Sequence, residues 1–317
     1  MSFSKQSTIR RPETTASRRS RPFFFWLSRT LAGYLITLAF LFPANASDVK
    51  LATDRTLTAL KADKAVIRAL TDEFSQLPEK QISVSEDGAV YAQYSQPTTR
   101  YQHGILGDAI EAGQLIVARN GTFYKHTLAE QYVFEDIKPR LFDVDNDGQM
   151  EIVTIRSHIK KGAGIMIYKI ENDALTEFAW IEEIGTASRW LNIAAIYDLD
   201  GDGRVEMAWI QTPHIGGILK VARIRPGKLV ALSESSPYSN HSIGERNLCL
   251  SLVAQEENAT LLYVPAQNRR QIVGFQLKDN TMKKIKTISQ PVNFSTPLVR
   301  QHNFSKVVQS GVSCPEF

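Results

Sequence analysis

Two short acidic stretches carry the clearest chemistry in this sequence of 317 residues. Asp143-x-Asp145-x-Asp147-Gly148-x-x-Glu151 and Asp198-x-Asp200-x-Asp202-Gly203-x-x-Glu206 set carboxylates at positions 1, 3, 5 and 9 of one frame. Oxygens at alternate positions converge on a single hard cation when the chain turns sharply, and glycine at position 6 permits that turn. The backbone carbonyl at position 7, from Gln149 or Arg204, completes an all-oxygen shell of the kind calcium takes. Four carboxylates in nine residues repel one another unless something neutralises them. The helical version of such a loop closes with glutamate at position 12 between two helices. Here apolar strand residues follow at once, which excludes an EF-hand. Two calcium ions are expected, each stapling a hairpin rather than performing chemistry.

The loops need a scaffold, and the flanking pattern says which. In residues 53–77, Leu57, Leu60, Ile67, Leu70, Phe74 and Leu77 recur at the spacing of one helix face, and Pro78 stops the run. Beyond it, short runs of Val, Ile, Leu, Tyr and Phe alternate with turn residues to the end, so the body is expected to be all-β. That body repeats. The segments 141–155 and 196–210 align at an offset of 55 residues. A third copy lies where Leu261-Leu262-Tyr263-Val264 matches Met207-Ala208-Trp209-Ile210, its acidic ladder reduced to Glu256 and Glu257. A fainter copy runs from Leu106-Gly107-Asp108 to Leu115-Ile116-Val117 and keeps Asp108 and Glu111. No ion is expected in these two.

Each unit divides into four strands, 137–142, 151–156, 164–170 and 175–183 in one, and 190–197, 206–212, 219–225 and 228–233 in the next. A hairpin of 80–85 and 89–94 about Asp87-Gly88, together with strands at 292–300 and 305–310, makes a further unit that removes both open edges. The prediction is a β-propeller of about five four-stranded blades, with six as the alternative. Its last blade is closed by N- and C-terminal strands. A short helical segment (47–78) precedes the propeller (79–317).

This loop spacing, in the first hairpin of a repeating β unit, resembles the VCBS/FG-GAP repeats of integrin-alpha-like β-propellers over roughly residues 100–290. The resemblance implies a propeller with calcium in the turn between first and second strands. Carried over residue by residue, the implied ligands are Asp143, Asp145, Asp147, Gln149 and Glu151, and Asp198, Asp200, Asp202, Arg204 and Glu206.

If the acidic loops share one rim, the other rim gathers the loops that enter each blade and those joining second to third strands. There stand Arg100, Tyr101, His103, His158, Arg189, Trp190, His214, His241 and Arg246, with four of the six histidines. Arginine offers a fork to a carboxylate or sulfate, and Trp190 or Tyr101 can stack on a sugar. Turn chemistry alone also explains Gly, Asn and Ser in such loops. The expected function is a binding module for an anionic glycan, peptide or protein partner on this rim. The alternative is a lyase or hydrolase on an acidic polysaccharide using rim His and Arg. No nucleophile motif or paired carboxylates support turnover, so no catalytic residue is assigned. A transition-metal site from His103, His158, His214 and His241 has no ligand-spacing signal behind it.

The N-terminus sets location. Residues 1–46 hold seven basic side chains and one acid, then the apolar run 31–42 and Ala44-Asn45-Ala46, the pattern of a cleaved export signal. The run is shorter than the ~20 residues of a bilayer-spanning helix. The formal charge of +4 therefore belongs to the signal, which removes the case for a nucleic-acid partner. A periplasmic or extracellular monomer is expected, with no membrane span after cleavage. In an oxidising compartment the two cysteines, Cys249 and Cys314, are expected to pair.

Overall fold

The computed structural model describes residues 62–312, except 258 and 309. The export signal and Cys314 lie outside the described residues, so the Cys249–Cys314 pairing does too. Among the described residues no helix is long and apolar enough to cross a membrane.

The chain enters with helix α1 (Lys64–Glu73), capped where Asp63 Oδ1 accepts the Ala65 N–H at 2.7 Å. The expected helix ran to residue 77. It stops at Phe74 because Gln76 makes a β-bridge to Ser95 and Leu77 is drawn into the core.

Four antiparallel units follow. The first is β1 (Ser83–Val84), β2 (Val90–Thr98), β3 (Glu111–Arg119) and β4 (Thr122–Thr127). Short β5 (Tyr132–Phe134) then joins it to the second unit, pairing with β3 at Ala112 and with the second unit's long strand. That unit is β6 (Arg140–Phe142), β7 (Glu151–His158), β8 (Gly162–Glu171) and β9 (Ala174–Ile181). The third is β10 (Leu191–Tyr197), β11 (Glu206–Gln211), β12 (Ile218–Arg225) and β13 (Lys228–Ser235). The fourth is β14 (Leu252–Gln255), β15 (Thr260–Pro265), β16 (Gln271–Lys278) and β17 (Thr281–Ser289), with β18 (Lys306–Val308) added on the β14 edge.

The inner strands of the middle units (β7, β8, β10 and β11) are buried on both faces, and their period of two assigns alternate residues to different layers. On β8, Ile165 and Ile167 join the core shared with the third unit, while Met166 and Tyr168 face the first. On β11, Met207 and Trp209 pack toward the second unit, Ala208 and Ile210 toward the fourth. The sheets therefore stack face to face. The two end faces are covered differently. Helix α1 lays Leu70 against Tyr91, Ile116 and Ala118 of the first unit. Residues 292–304 lay Val292, Phe294, Leu298 and Phe304 against Leu261 and Tyr263 of the fourth.

This overturns the expected shared blade. The N-terminal hairpin pairs with β3, not with the C-terminus, and β18 pairs with β14. Residues 292–300 form no strand. Pro297 precedes a 3₁₀ turn (Leu298–Arg300), and Gln301 Nε2 bonds the carbonyls of Asn293 and Thr296. Among the described residues there are four such units, and their sheets do not close.

One register also shifts. Because β1 and β2 are the first two strands, residues 99–110 join second to third, and Asp108 and Glu111 stand at the end opposite the acidic loops. The counterpart of an acidic loop in the first unit is the turn at Asp87-Gly88.

Candidate functional site

At one end of the stack lie the two acidic loops, side by side, with Asn146 Nδ2 donating to the Gly203 carbonyl at 2.9 Å. Each turn needs left-handed backbone at position 6, supplied by Gly148 (φ 83°) and Gly203 (φ 82°). Ligand atoms of Asp143, Asp145 and Glu151 come within 4.8 Å of one another, as do those of Asp198, Asp200 and Glu206. Either triad can hold a metal ion. Asp147 and Asp202 sit lower in the turn: Asp147 Oδ1 accepts the Gln149 N–H at 2.8 Å and Asp202 Oδ1 the Arg204 N–H at 3.0 Å. The Gln149 side chain is engaged by Arg119 Nη1 at 2.8 Å. Glu151 and Glu206 are fully buried, and burial pushes both carboxyls up to about 7. Glu151 Oε1 has no hydrogen-bond partner, the arrangement expected of an oxygen meant for an ion. The donor set therefore fits calcium at the first loop. At the second, Arg223 Nε already donates to Glu206 Oε1 at 2.8 Å.

The sequence reading missed the basic partners of these loops. Lys169 on β8 reaches Asp145 Oδ2 at 2.6 Å and Asp147 Oδ2 at 2.7 Å. Arg223 on β12 reaches Asp200 Oδ2 at 2.8 Å and Asp202 Oδ2 at 3.1 Å. Comparing Ile165–Ile170 with Leu219–Ile224 would have exposed them, since each segment sets a basic residue, Lys169 or Arg223, just before its last isoleucine. In the decayed third loop, Glu256 is occupied by Tyr263, Ser305 and Lys286.

At the opposite end the structure joins most of the residues singled out from the sequence, though as a packed cluster. Trp190 is buried and donates Nε1–H to the Glu135 carbonyl at 3.0 Å. His214 stacks on it with ring centroids 6.2 Å apart, and His241 lies 4.7 Å from it. The histidines meet, His214 Nε2 to His241 Nδ1, at 2.9 Å, and His241 Nε2 lies 2.7 Å from the Glu245 carbonyl. A carbonyl only accepts, so His241 carries its proton on Nε2, and its Nδ1 accepts from His214. Burial holds His214 down to about 3 and His241 to about 4, so both are neutral at pH 7.

Beside this pair His103 Nδ1 donates to Glu135 Oε1 at 2.5 Å, and Ser157 Oγ donates to the other oxygen. The Tyr101 hydroxyl accepts the Ser188 N–H at 3.1 Å. Arg100 is spent on the Tyr132 carbonyl (Nε, 3.0 Å), and His158 Nδ1 on the Lys160 N–H at 3.0 Å. Arg189 Nη1 donates to the Ser188 carbonyl at 3.1 Å. The four histidines do not converge on one point: only His214 and His241 touch.

Acids that the sequence reading did not place at this end stand here too. Burial pushes Glu111 up to about 9, and raises Glu135 and Asp136. Asp136 is paired with Arg140 at 2.5 Å and accepts from the Tyr94 hydroxyl at 3.3 Å. Arg246 Nη2 binds Asp108 at 2.6 Å and Glu79 at 3.1 Å. A cavity of about 320 Å³ opens here, lined by Gly107, Gly244, Glu245, Arg246, Asn247 and Ser295. The end expected to be basic is therefore mixed in charge. Its carboxylates come from a strand end (Glu111), read from the sequence as a remnant of the acidic ladder, and from an entry loop (Glu135, Asp136) that no local motif marks.

With this geometry in view, comparison with known proteins finds one repeat family. The FG-GAP-like repeat matches residues 113–209, the stretch from β3 through β11 that contains both acidic loops. Over that stretch the chain is similar to FG-GAP-like repeats. No curated protein matches it. Among solved structures it is similar to rhamnogalacturonan lyase YesW, at 16% identity over 56% of this chain and 42% of that one, with a TM-score of 0.35. A Bacillus licheniformis rhamnogalacturonan lyase gives 15% identity, the same coverage and a TM-score of 0.35. The chain thus spans less than half the length of the structures it matches.

Proposed function

We propose that this chain is a calcium-stabilised, propeller-type FG-GAP module that binds a glycan or protein partner at the end opposite its acidic loops. The observation that carries the reading is the cavity beside Arg246, to which three separate segments contribute, Gly107, residues 244–247 and Ser295. Cavities of this size hold one or two sugar rings with a few polar groups fixing them. Arg246, partly exposed and tied through Nη2 to Asp108 and Glu79, leaves Nη1 for a ligand, while Glu245 offers acceptors to hydroxyls. The mixed charge favours a hydroxyl-rich ligand with at most one carboxylate over a densely anionic chain. Calcium in the acidic loops would be held by Asp143, Asp145 and Glu151, and by Asp198, Asp200 and Glu206. It would supply charge and tie each first hairpin together. Export to the periplasm or cell surface belongs to the same proposal, since such modules bind calcium weakly and need millimolar ion.

A glycan array comparing neutral and uronic-acid oligosaccharides tests the reading. Binding that falls at least tenfold in Arg246→Ala and is kept in Arg270→Ala is expected. Equal binding by both variants would remove the cavity from the function. One observation keeps the enzymatic alternative: buried, raised carboxyls such as Glu111 are groups that donate protons in active sites. Turnover of a uronic-acid polymer, lost in Glu111→Gln and in His103→Ala, would favour it.

A further inference from the structure

Each acidic loop already holds a cation of its own, carried on the third strand of the same unit. Arg223 stands opposite Glu206 in the β11–β12 register, and Lys169 lies one step beyond the Ile152–Tyr168 pair, opposite Glu151. Both side chains are buried, at 7% exposure for Lys169 and 8% for Arg223. The oxygens they hold belong to the residues a divalent ion would use: Asp145 and Glu151 in the first loop, Asp200 and Glu206 in the second. Two cations cannot share those oxygens without strong repulsion.

The residents differ in how well they fill the place. Lys169 Nζ makes only a long ion pair with Glu151 Oε1, at 3.4 Å, and that fully buried oxygen has no hydrogen-bond partner. An ammonium on a four-carbon stem can also swing away. Arg223 spans Asp200, Asp202 and Glu206 at once and leaves Glu206 Oε1 satisfied at 2.8 Å. Its planar fork stays charged and is fixed by several bonds at a time.

We propose that Lys169 and Arg223 are resident cations that compete with a divalent ion, so that the loop at 143–151 exchanges Lys169 for the ion and the loop at 198–206 stays closed on Arg223. The inference rests on the reading of these loops as ion sites and changes its count from two ions to one.

Full-length protein stripped with chelator and titrated with calcium chloride by calorimetry decides the matter. The wild type is expected to bind one ion, and Asp143→Asn to bind none. Lys169→Met is expected to bind it about tenfold more tightly, the effect of removing one like charge at contact distance. Arg223→Lys, which keeps a charge and so protects the fold, is expected to gain a second ion, as is Arg223→Met. Without calcium Lys169→Met should melt below the wild type, and saturating calcium should restore it. Two ions in the wild type, or one ion in Arg223→Lys, would overturn the competition while leaving the loops as ion sites. No binding by any of these proteins would overturn both.

Discussion

His214 and His241 show how a side chain's chemistry depends on what surrounds it. As loop histidines they read as exposed groups ready for acid–base work. Packed on Trp190 and bonded to each other, they are held neutral, near 3 and 4. In the unfolded chain both protonate near ~6.5. The unfolded state therefore binds more protons below that pH. The stability of the neutral pair is complete above about 6.5 and is lost as pH falls toward 4 and 3. Thermal scans should show a smaller drop in melting temperature from pH 6.5 to 4.5 in His214→Leu than in the wild type. Glu111 runs the other way. Its folded carboxyl, pushed up to about 9 by burial, keeps a proton that the unfolded chain releases near ~4.3. Its contribution is complete below that value and is lost as pH rises through 9. Glu111→Gln should melt higher than the wild type at pH 8 and show little difference at pH 4.5. Arg140, buried against Asp136, leaves an uncompensated charge when removed, so Arg140→Ala should cost about 3–5 kcal/mol in urea denaturation.

Among the elements, the second and third units were the most legible. Their strands fall within a few residues of the bounds read from the alternation of apolar runs and turn residues. The first unit was harder because it has no acidic loop to mark its first turn. Asp108 and Glu111 imitated that mark, and the register slipped by one strand. Close approaches between loops were not legible at all. A β-carbon on Gly217 would stand 1.6 Å from the Tyr238 carbonyl oxygen, where the two loops cross. Gly217→Ala should therefore lower stability by about 1–3 kcal/mol or more, read as a lower midpoint in urea. Gly216, with open space around it and φ of 69°, should cost only its backbone preference.

At the largest scale, the described residues form a stack of sheets whose ends meet through loops. Residues 236–251 cross from the third unit to the fourth and touch the first on the way. Gly244 N donates to the Ile105 carbonyl at 3.0 Å, and Arg246 binds Asp108 and Glu79. A β-carbon on Gly107 would lie 2.9 Å from the Gly244 carbonyl, so the contact is tight. The tail supports the interior: Ile196 N donates to the Ser310 carbonyl at 2.8 Å, and Gly311 packs on Phe142 and Ile196. If these contacts close the molecule, Arg246→Ala should speed amide exchange in residues 99–110 and 236–251. Exchange in β10–β13 should stay unchanged, because that sheet is held by its own ladder. Uniform acceleration everywhere would mean that Arg246 supports the whole fold instead.

The sequence alone determined what is local. Alternation fixed the strands, carboxylate spacing fixed the acidic loops, and the repeat offset fixed which residues are equivalent. These signals live within a few residues of one another, so side-chain period and turn chemistry express them directly. Tertiary structure decided what depends on partners far along the chain. It put Lys169 and Arg223 into the acidic loops and brought Glu79, Asp108 and Arg246 together. It also buried His241 and Trp190 and turned the C-terminal segment into a cover for the fourth unit. Such pairings are chosen by which surfaces remain to be buried once the sheets have stacked, and burial is a property of the assembled core.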